Sequence, residues 1–247
     1  MLQILHFSDC HLFADPTQEL RGVQPASTLT AVLDAAQEQA AASQIAIITG
    51  DLTDDGQPET YARVEQMFAR LQRPVYAVPG NHDEADAMRK GLTGHPIVWQ
   101  RSVVVAGWHL IFLNSADPGQ VGGVFLAEEL AALEEALLAQ PNLPTLIAFH
   151  HQPVPVATPW MDQIGLAQPE HFFALLARHP WTRCVLFGHI HSPFDGHWQN
   201  VRLLSAPATS VQFARGTEQP ICTTDTPGYR WLRLHPDGQL ETGIVRT

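Results

Sequence analysis

The chain has few of the features that secreted scaffolds, membrane proteins and nucleic-acid binders are built from. It has three cysteines, Cys10, Cys184 and Cys222, odd in number and far apart, which argues against a disulfide framework or a zinc ribbon. Lys and Arg total 14 against 25 Asp and Glu, a formal net charge of -11, and no basic run offsets it. That field repels a nucleic-acid polymer, although a local site on an acidic protein can still attract a small anion. No apolar run is long enough to span a bilayer. The N-terminus lacks a basic region followed by an apolar stretch, so no signal peptide and no membrane partner are expected, and a cytoplasmic protein is. Repeats, low-complexity tracts and long linkers are also missing. What remains is an ordinary globular composition, 45% hydrophobic and 16% charged over 247 residues. One domain covering residues 1–247 is the expectation.

Strand-like and helix-like segments alternate. Residues 2–9, 45–51, 145–151 and 184–191 read as strands, residues 74–83 as a strand running into a loop, and residues 102–115 as two strands around Ala106-Gly107. Residues 27–42, with Ser27 as N-cap, 58–71, with Pro58 in the first turn, 126–140 and 169–179 read as helices. The acidic helix at 126–140 is expected to present a solvated outer face. After residue 191 the helices stop, and a β-rich C-terminal third (about 192–247) ends in a hairpin turning at Asp237-Gly238. The class is α/β.

Five polar clusters follow the apolar strands: "DCH" at 9–11, "GD" at 50–51, "GNHD" at 80–83, "HH" at 150–151 and "GHIH" at 188–191. Each alone is weak, since Asp-x-His occurs by chance and Gly-Asp marks turns. In open α/β sheets, however, ligands collect outside the carboxyl ends of the strands, so all five can converge. Together they offer Asp9, His11, Asp51, Asn81, His150, His189 and His191. These are oxygen and imidazole donors without thiolate, a mix suited to manganese, iron(II) or zinc. Seven side chains are too many for one ion and suit two that share a bridge, the clamp used for in-line displacement at phosphorus. At the end of an extended strand, residues 9 and 11 point one way and residue 10 the other. Asp9 and His11 can then share a metal, while Cys10 is expected to be a small buried neighbour.

This set resembles the calcineurin-like metallophosphoesterases, whose pattern is D-x-H, G-D, G-N-H-[DE], H and G-H-x-H, over about residues 2–191. A closer resemblance is to the bacterial class III cyclic-nucleotide phosphodiesterases, which act on 3′,5′-cyclic AMP. It lies in "DCHLF", "TGDLTDDG", "PWMDQ" (159–163) and "SVQFARG…DTPGYRWLRLHPDG" (210–238). The resemblance implies a β-sandwich flanked by helices (αββα layers) and two divalent metal ions as cofactors. Asp9, His11 and His191 would hold the first metal, Asn81, His150 and His189 the second, and Asp51 would bridge them. His82 would be a catalytic or substrate-binding histidine that protonates the leaving ribose oxygen. Asn81 would stabilise developing charge, and His11 and His191 would lie against the substrate as well.

In "HHQP", Gln152 stands where the family more often has proline; His150 is the expected ligand and His151 its rival. The substrate implied is a small phosphodiester, cyclic AMP, giving 5′-AMP. Glycerophosphodiesters or other small diesters are the alternative on the same centre. A non-catalytic binding module is disfavoured, because a scaffold has no need to keep both metals and His82. Trp160 either lines a base pocket or packs a loop, and a homodimer is compatible with all of this.

Overall fold

The structure, a computed structural model, describes residues 1–247. Its first half runs β1 (Leu2–Phe7), α1 (Pro25–Ala42), β2 (Ile45–Thr49), α2 (Pro58–Phe68), β3 (Val75–Val78), α3 (Ala85–Gly91), β4 (Ile97–Val98), β5 (Ser102–Val105), β6 (Trp108–Phe112) and β7 (Gly123–Val124). The second half runs α4 (Ala127–Ala139), β8 (Thr145–Ala148), α5 (Pro159–Asp162), β9 (Leu166–Ala167), α6 (Pro169–Ala177), β10 (Thr182–Phe187), β11 (Phe194–Trp198), β12 (Val201–Ser205), β13 (Gly228–Leu234) and β14 (Leu240–Arg246).

Two six-stranded sheets result, ordered β14-β13-β1-β2-β3-β4 and β11-β12-β10-β8-β6-β5. β1 to β4 are mutually parallel, as are β6, β8, β10 and β12. Antiparallel strands close three of the four edges, at β14, β11 and β5, while the edge strand β4 is parallel to its neighbour.

The layering follows from the period-two alternation of side chains along each strand. Ile45, Ile47, Tyr76 and Val78 of one sheet meet Leu110, Phe112, Leu146 and Leu186 of the other in a shared core. The intervening residues Ala46, Ile48 and Ala77 face outward and are covered by Leu29, Val32, Tyr61 and Phe68 of α1 and α2. Ile111, Ile147 and Val185 are covered by Leu133, Phe172 and Leu176 of α4 and α6. The order is therefore helices, sheet, sheet, helices. Because both faces of each sheet are buried, the central strands read as unbroken apolar runs.

Several expectations need correcting. The strands end two or more residues earlier than the apolar runs imply, so every polar cluster lies in a loop past its strand. Ser27 does not cap α1: the helix begins at Pro25, whose missing N–H costs nothing at a helix start, and the Ser27 hydroxyl bonds the Gln24 side chain. The 126–140 helix is not solvated along all of its acidic face. Glu129 is buried, ion-paired with Arg101 and accepting the Asn114 N–H. Helix α3 was not foreseen. The C-terminal third contains strands and no helix. No helix is long and apolar enough to cross a membrane.

Candidate metal centre

The parallel strands β1, β2, β3, β8 and β10 all deliver their carboxyl ends to one side of the sandwich. The loops there are stitched together by backbone bonds. Asp9 N–H donates to Gly50 O (3.1 Å), His11 N–H to Asp51 O (2.9 Å) and Gly188 N–H to His150 O (2.9 Å). His189 N–H donates to Asp9 Oδ1 across the two sheets (3.0 Å). Asp9, His11, Asp51, His150, His189 and His191 are all buried.

The local conformation is not that of a strand end. Asp9, His11, Asp51, His189 and His191 have φ of 56°, 47°, 50°, 67° and 50°, the left-handed region. That region is costly for side-chain-bearing residues and least so for Asp, Asn and His. Strand alternation is therefore the wrong reason for Asp9 and His11 facing together; left-handed turns at both positions aim them inward. The outcome for Cys10 is the expected one, since it packs fully buried in the core beneath α1 and α2. Burial pushes its thiol up to about 12.

The glycines of the motifs are close-approach positions. A Cβ on Gly50 (φ +85°) would strike the His150 ring, and one on Gly80 would strike the Asp51 carboxylate.

Hydrogen bonds set the tautomers. His150 Nδ1–H donates to Thr49 O (2.7 Å) and His191 Nδ1–H to Val211 O (2.7 Å). His11 Nδ1–H donates to Asp54 Oδ1 (3.0 Å). Each ring then turns an Nε2 lone pair inward. His11 Nε2 and His191 Nε2 face each other at 3.1 Å, and His150 Nε2 faces His189 Nδ1 and Asn81 Oδ1 at 3.2 Å each. Asp51 Oδ2 stands between these groups, 3.4 Å from His11 Nε2 and 3.3 Å from His150 Nε2. Asp9 Oδ2 and His189 Nε2 are buried without a hydrogen-bond partner. Buried acceptors facing acceptors are destabilising unless a cation lies among them. The donor set thus fits two metal ions that share Asp51.

Without metal, burial opposes the charge on Asp51, but positive charge on the His150 and His11 rings holds its pKa well below the usual carboxylate range, and Asp51 in turn raises His150 to about 9 against its own burial. A bound cation would take the place of the His150 proton. Burial pushes His191 down to about 4 and His189 well below the ordinary value, so both offer neutral nitrogen.

His151 also lies near His150 and His189, but its nitrogens are occupied. Nδ1 bonds the Ser115 hydroxyl (2.8 Å) and Nε2 the Val121 carbonyl (3.1 Å). The geometry favours His150 as the ring that faces the centre.

His82 sits at the rim, exposed. Its backbone N–H donates to Asp51 Oδ1 (2.9 Å), and its Nδ1 lies 3.2 Å from Asp54 Oδ1. Burial works against its charge, but the Asp54 bond and the Asp51 and Asp54 carboxylates raise its pKa to about 9. Asp54 thus steadies His11 and His82 together. Sequence reasoning missed it. The signal was its place three residues after Asp51 in "GDLTDDG", but Asp55 has an equal claim by sequence and instead receives the Ala14 N–H. A cleft of about 220 Å³ opens from the centre, lined by His11, Asp51, His82 and His191 and by Arg21, Trp160 and Phe213. Trp160 lines it while also packing edge-on against Phe213.

Cys10→Ser is expected to keep its metal content and most of its activity, since the thiol points into the core. Its stability should fall by about 1 kcal/mol. Metal analysis of the folded variant checks this; loss of one metal equivalent would make Cys10 a ligand.

Comparison with known proteins follows the same lines. A 3′,5′-cyclic adenosine monophosphate phosphodiesterase, CpdA, of Pseudomonas aeruginosa is 39% identical over 243 residues, 98% of this chain and 89% of that protein. A 3′,5′-cyclic-nucleotide phosphodiesterase of Nostoc sp., alr5338, is 36% identical over 245 residues, 99% of this chain and 92% of that one. The crystal structure of TT1561 of Thermus thermophilus shares the fold, with a TM-score of 0.62 at 15% identity, covering 99% of both chains. Residues 2–193, which carry both sheets' central strands and all five donor clusters, match the calcineurin-like phosphoesterases, and the chain belongs to that family.

Proposed function

We propose that this chain is a dinuclear-metal phosphodiesterase that hydrolyses 3′,5′-cyclic AMP to 5′-AMP. The position of Asp51 carries the reading: one carboxylate oxygen lies within 3.4 Å of His11 Nε2 and 3.3 Å of His150 Nε2, between the two donor groups. Asp9, His11 and His191 would hold one cation, Asn81, His150 and His189 the other, and Asp51 would be shared by both. The donor chemistry suits iron(II), manganese or zinc. Residues 1–247 act as one domain, because the ligands come from the ends of both sheets. The names and full-length similarity of the Pseudomonas and Nostoc relatives support cyclic AMP as the substrate.

Two divalent cations, when bound, supply the positive charge that draws a phosphodiester to this acidic chain and the acidity that makes water nucleophilic near neutral pH. The chain's residues do the rest. Left-handed turns and buried hydrogen bonds hold His11, His150 and His191 in fixed orientations, so little reorganisation is needed during reaction. Asp54 holds Nδ1 of His82, leaving Nε2 to face the substrate. The Asp54 bond and the Asp51 and Asp54 carboxylates favour the protonated form of His82. His82 gives that proton to the ribose 3′ oxygen as the bond to phosphorus breaks.

Purified, metal-loaded protein assayed on 3′,5′-cyclic AMP, 3′,5′-cyclic GMP, 2′,3′-cyclic AMP and glycerophosphocholine is expected to act fastest on 3′,5′-cyclic AMP. Much faster turnover of glycerophosphocholine would reassign the centre to glycerophosphodiesters.

A further inference from the structure

We propose that Arg21, Phe213 and Trp160 form the subsite that receives the nucleobase, so that the chain selects a cyclic nucleotide over a phosphodiester lacking a base. This rests on the cyclic-nucleotide reading above and adds which residues read the part of the substrate remote from the metals.

Three observations place the subsite. First, all three residues line the same cleft as His11, His82 and His191. Secondly, Phe213 stands next to the centre: its ring centroid is 4.6 Å from that of His191. A phosphodiester held beside His191 would carry its base outward by about the width of a sugar, which brings the base to Phe213. Thirdly, the three groups form an aromatic and cationic corner. Trp160 meets Phe213 edge-on, with centroids 5.2 Å apart at 89°, and the Arg21 guanidinium lies 5.5 Å from the Phe213 centroid. Rings and guanidinium planes are the groups on which bases stack.

The two walls are held differently. Phe213 is held in a ribbon: it bridges Cys222, and Ala214 N–H donates to Ile221 O (2.8 Å). Arg21 is exposed in the tight turn between the bridged residues Leu20 and Val23, and its φ is 51°. No carboxylate lies within salt-bridge distance of it. A base between two planes needs about 7 Å, twice a van der Waals contact. The guanidinium must therefore lift by about 1.5 Å, and nothing restrains it from doing so. Stacking is tolerant of base identity, so this corner separates base from no base more than adenine from guanine.

The test is kcat/KM of the metal-loaded full chain on 3′,5′-cyclic AMP and on the methyl riboside 3′,5′-cyclic phosphate, which has the same ring phosphate without a base. Wild type, Phe213→Ala and Arg21→Gln are compared, with metal content measured for each. The preference ratio cancels any loss that Phe213→Ala inflicts on His191. Wild type is expected to prefer the nucleotide by about 5- to 150-fold, the worth of a base stack. Phe213→Ala should bring the ratio close to one, mainly through KM, because stacking remote from phosphorus acts alike on ground and transition states. Arg21→Gln, a surface change that the fold tolerates, should lower the ratio about 2- to 5-fold. If Phe213→Ala keeps the wild-type ratio, the base binds elsewhere and the subsite is refuted while the cyclic-nucleotide reading stands. If Arg21→Gln slows both substrates equally, Arg21 holds phosphate and is not part of a base subsite. A wild type that turns over the nucleotide without preferring it refutes the subsite alone; no turnover of the nucleotide removes both readings.

Discussion

Asp51→Asn is expected to lose both metals and to cut phosphodiester hydrolysis by more than about 10³-fold, beyond what loss of a single transition-state donor costs. Asp51 Oδ2 is the group shared by the His11 and His150 sides of the centre, and the residue is almost fully buried. An amide in its place removes the negative charge that two cations would share. Its NH2 can also donate to the imidazole Nε2 lone pairs that otherwise await metal, so the metal-free fold should persist. Asp9→Asn should behave differently. Asp9 Oδ1 lies 3.5 Å from His191 Nε2 and accepts the His189 N–H, and the Asp9 carboxylate clusters with His11, Asp51 and His191 but not with His150. It should therefore weaken mainly one metal. Metal quantification of the two purified variants, with circular dichroism to verify folding, separates them. Two metals at full occupancy in Asp51→Asn would rule out the shared role.

His82→Ala is expected to slow cyclic AMP hydrolysis by about 10²–10⁴-fold, the usual worth of general acid catalysis. The same change should slow bis(p-nitrophenyl) phosphate much less. A ribose alkoxide is a poor leaving group and needs a proton, whereas nitrophenolate is a good one and hardly does. The structure supplies an exposed ring, an Nδ1 held by Asp54 and carboxylates that favour its protonated form. His82 also touches the centre through its backbone, since its N–H donates to Asp51 Oδ1. That bond survives in the variant, so metal should be retained. The measurement is kcat for both substrates, with metal content checked. Equal losses at full occupancy would leave His82 a positioning residue and remove its proton-donating role.

Much of the fold was legible. The apolar runs at 45–51 and 145–151 are buried on both faces, and such runs announce themselves in any central parallel strand. Their ends were less legible. At Gly50-Asp51 and at Asp9 the backbone leaves the strand by left-handed turns, and no hydrophobic period records a change of φ. Ser27 misled as a cap because Pro25, two residues earlier, is an equally good helix start. Glu129 looked solvated because its partner, Arg101, is 28 residues away.

The sequence by itself determined the donor types, their order along the chain, their attachment to the ends of apolar strands and the family to which they belong. Those are properties of local pattern: residue type, spacing and a period of two. Only the tertiary structure decided that Asp54, rather than Asp55, joins His11 and His82. It alone showed that Ser115 and Val121 occupy His151, leaving His150 to face Asp51. It alone brought Arg21 and Phe213 together across some 190 residues of chain. The physical reason is that a side chain's partner is set by which strand lies beside its own and in what register. That depends on how two sheets pack around a common core, and no spacing within one segment encodes it.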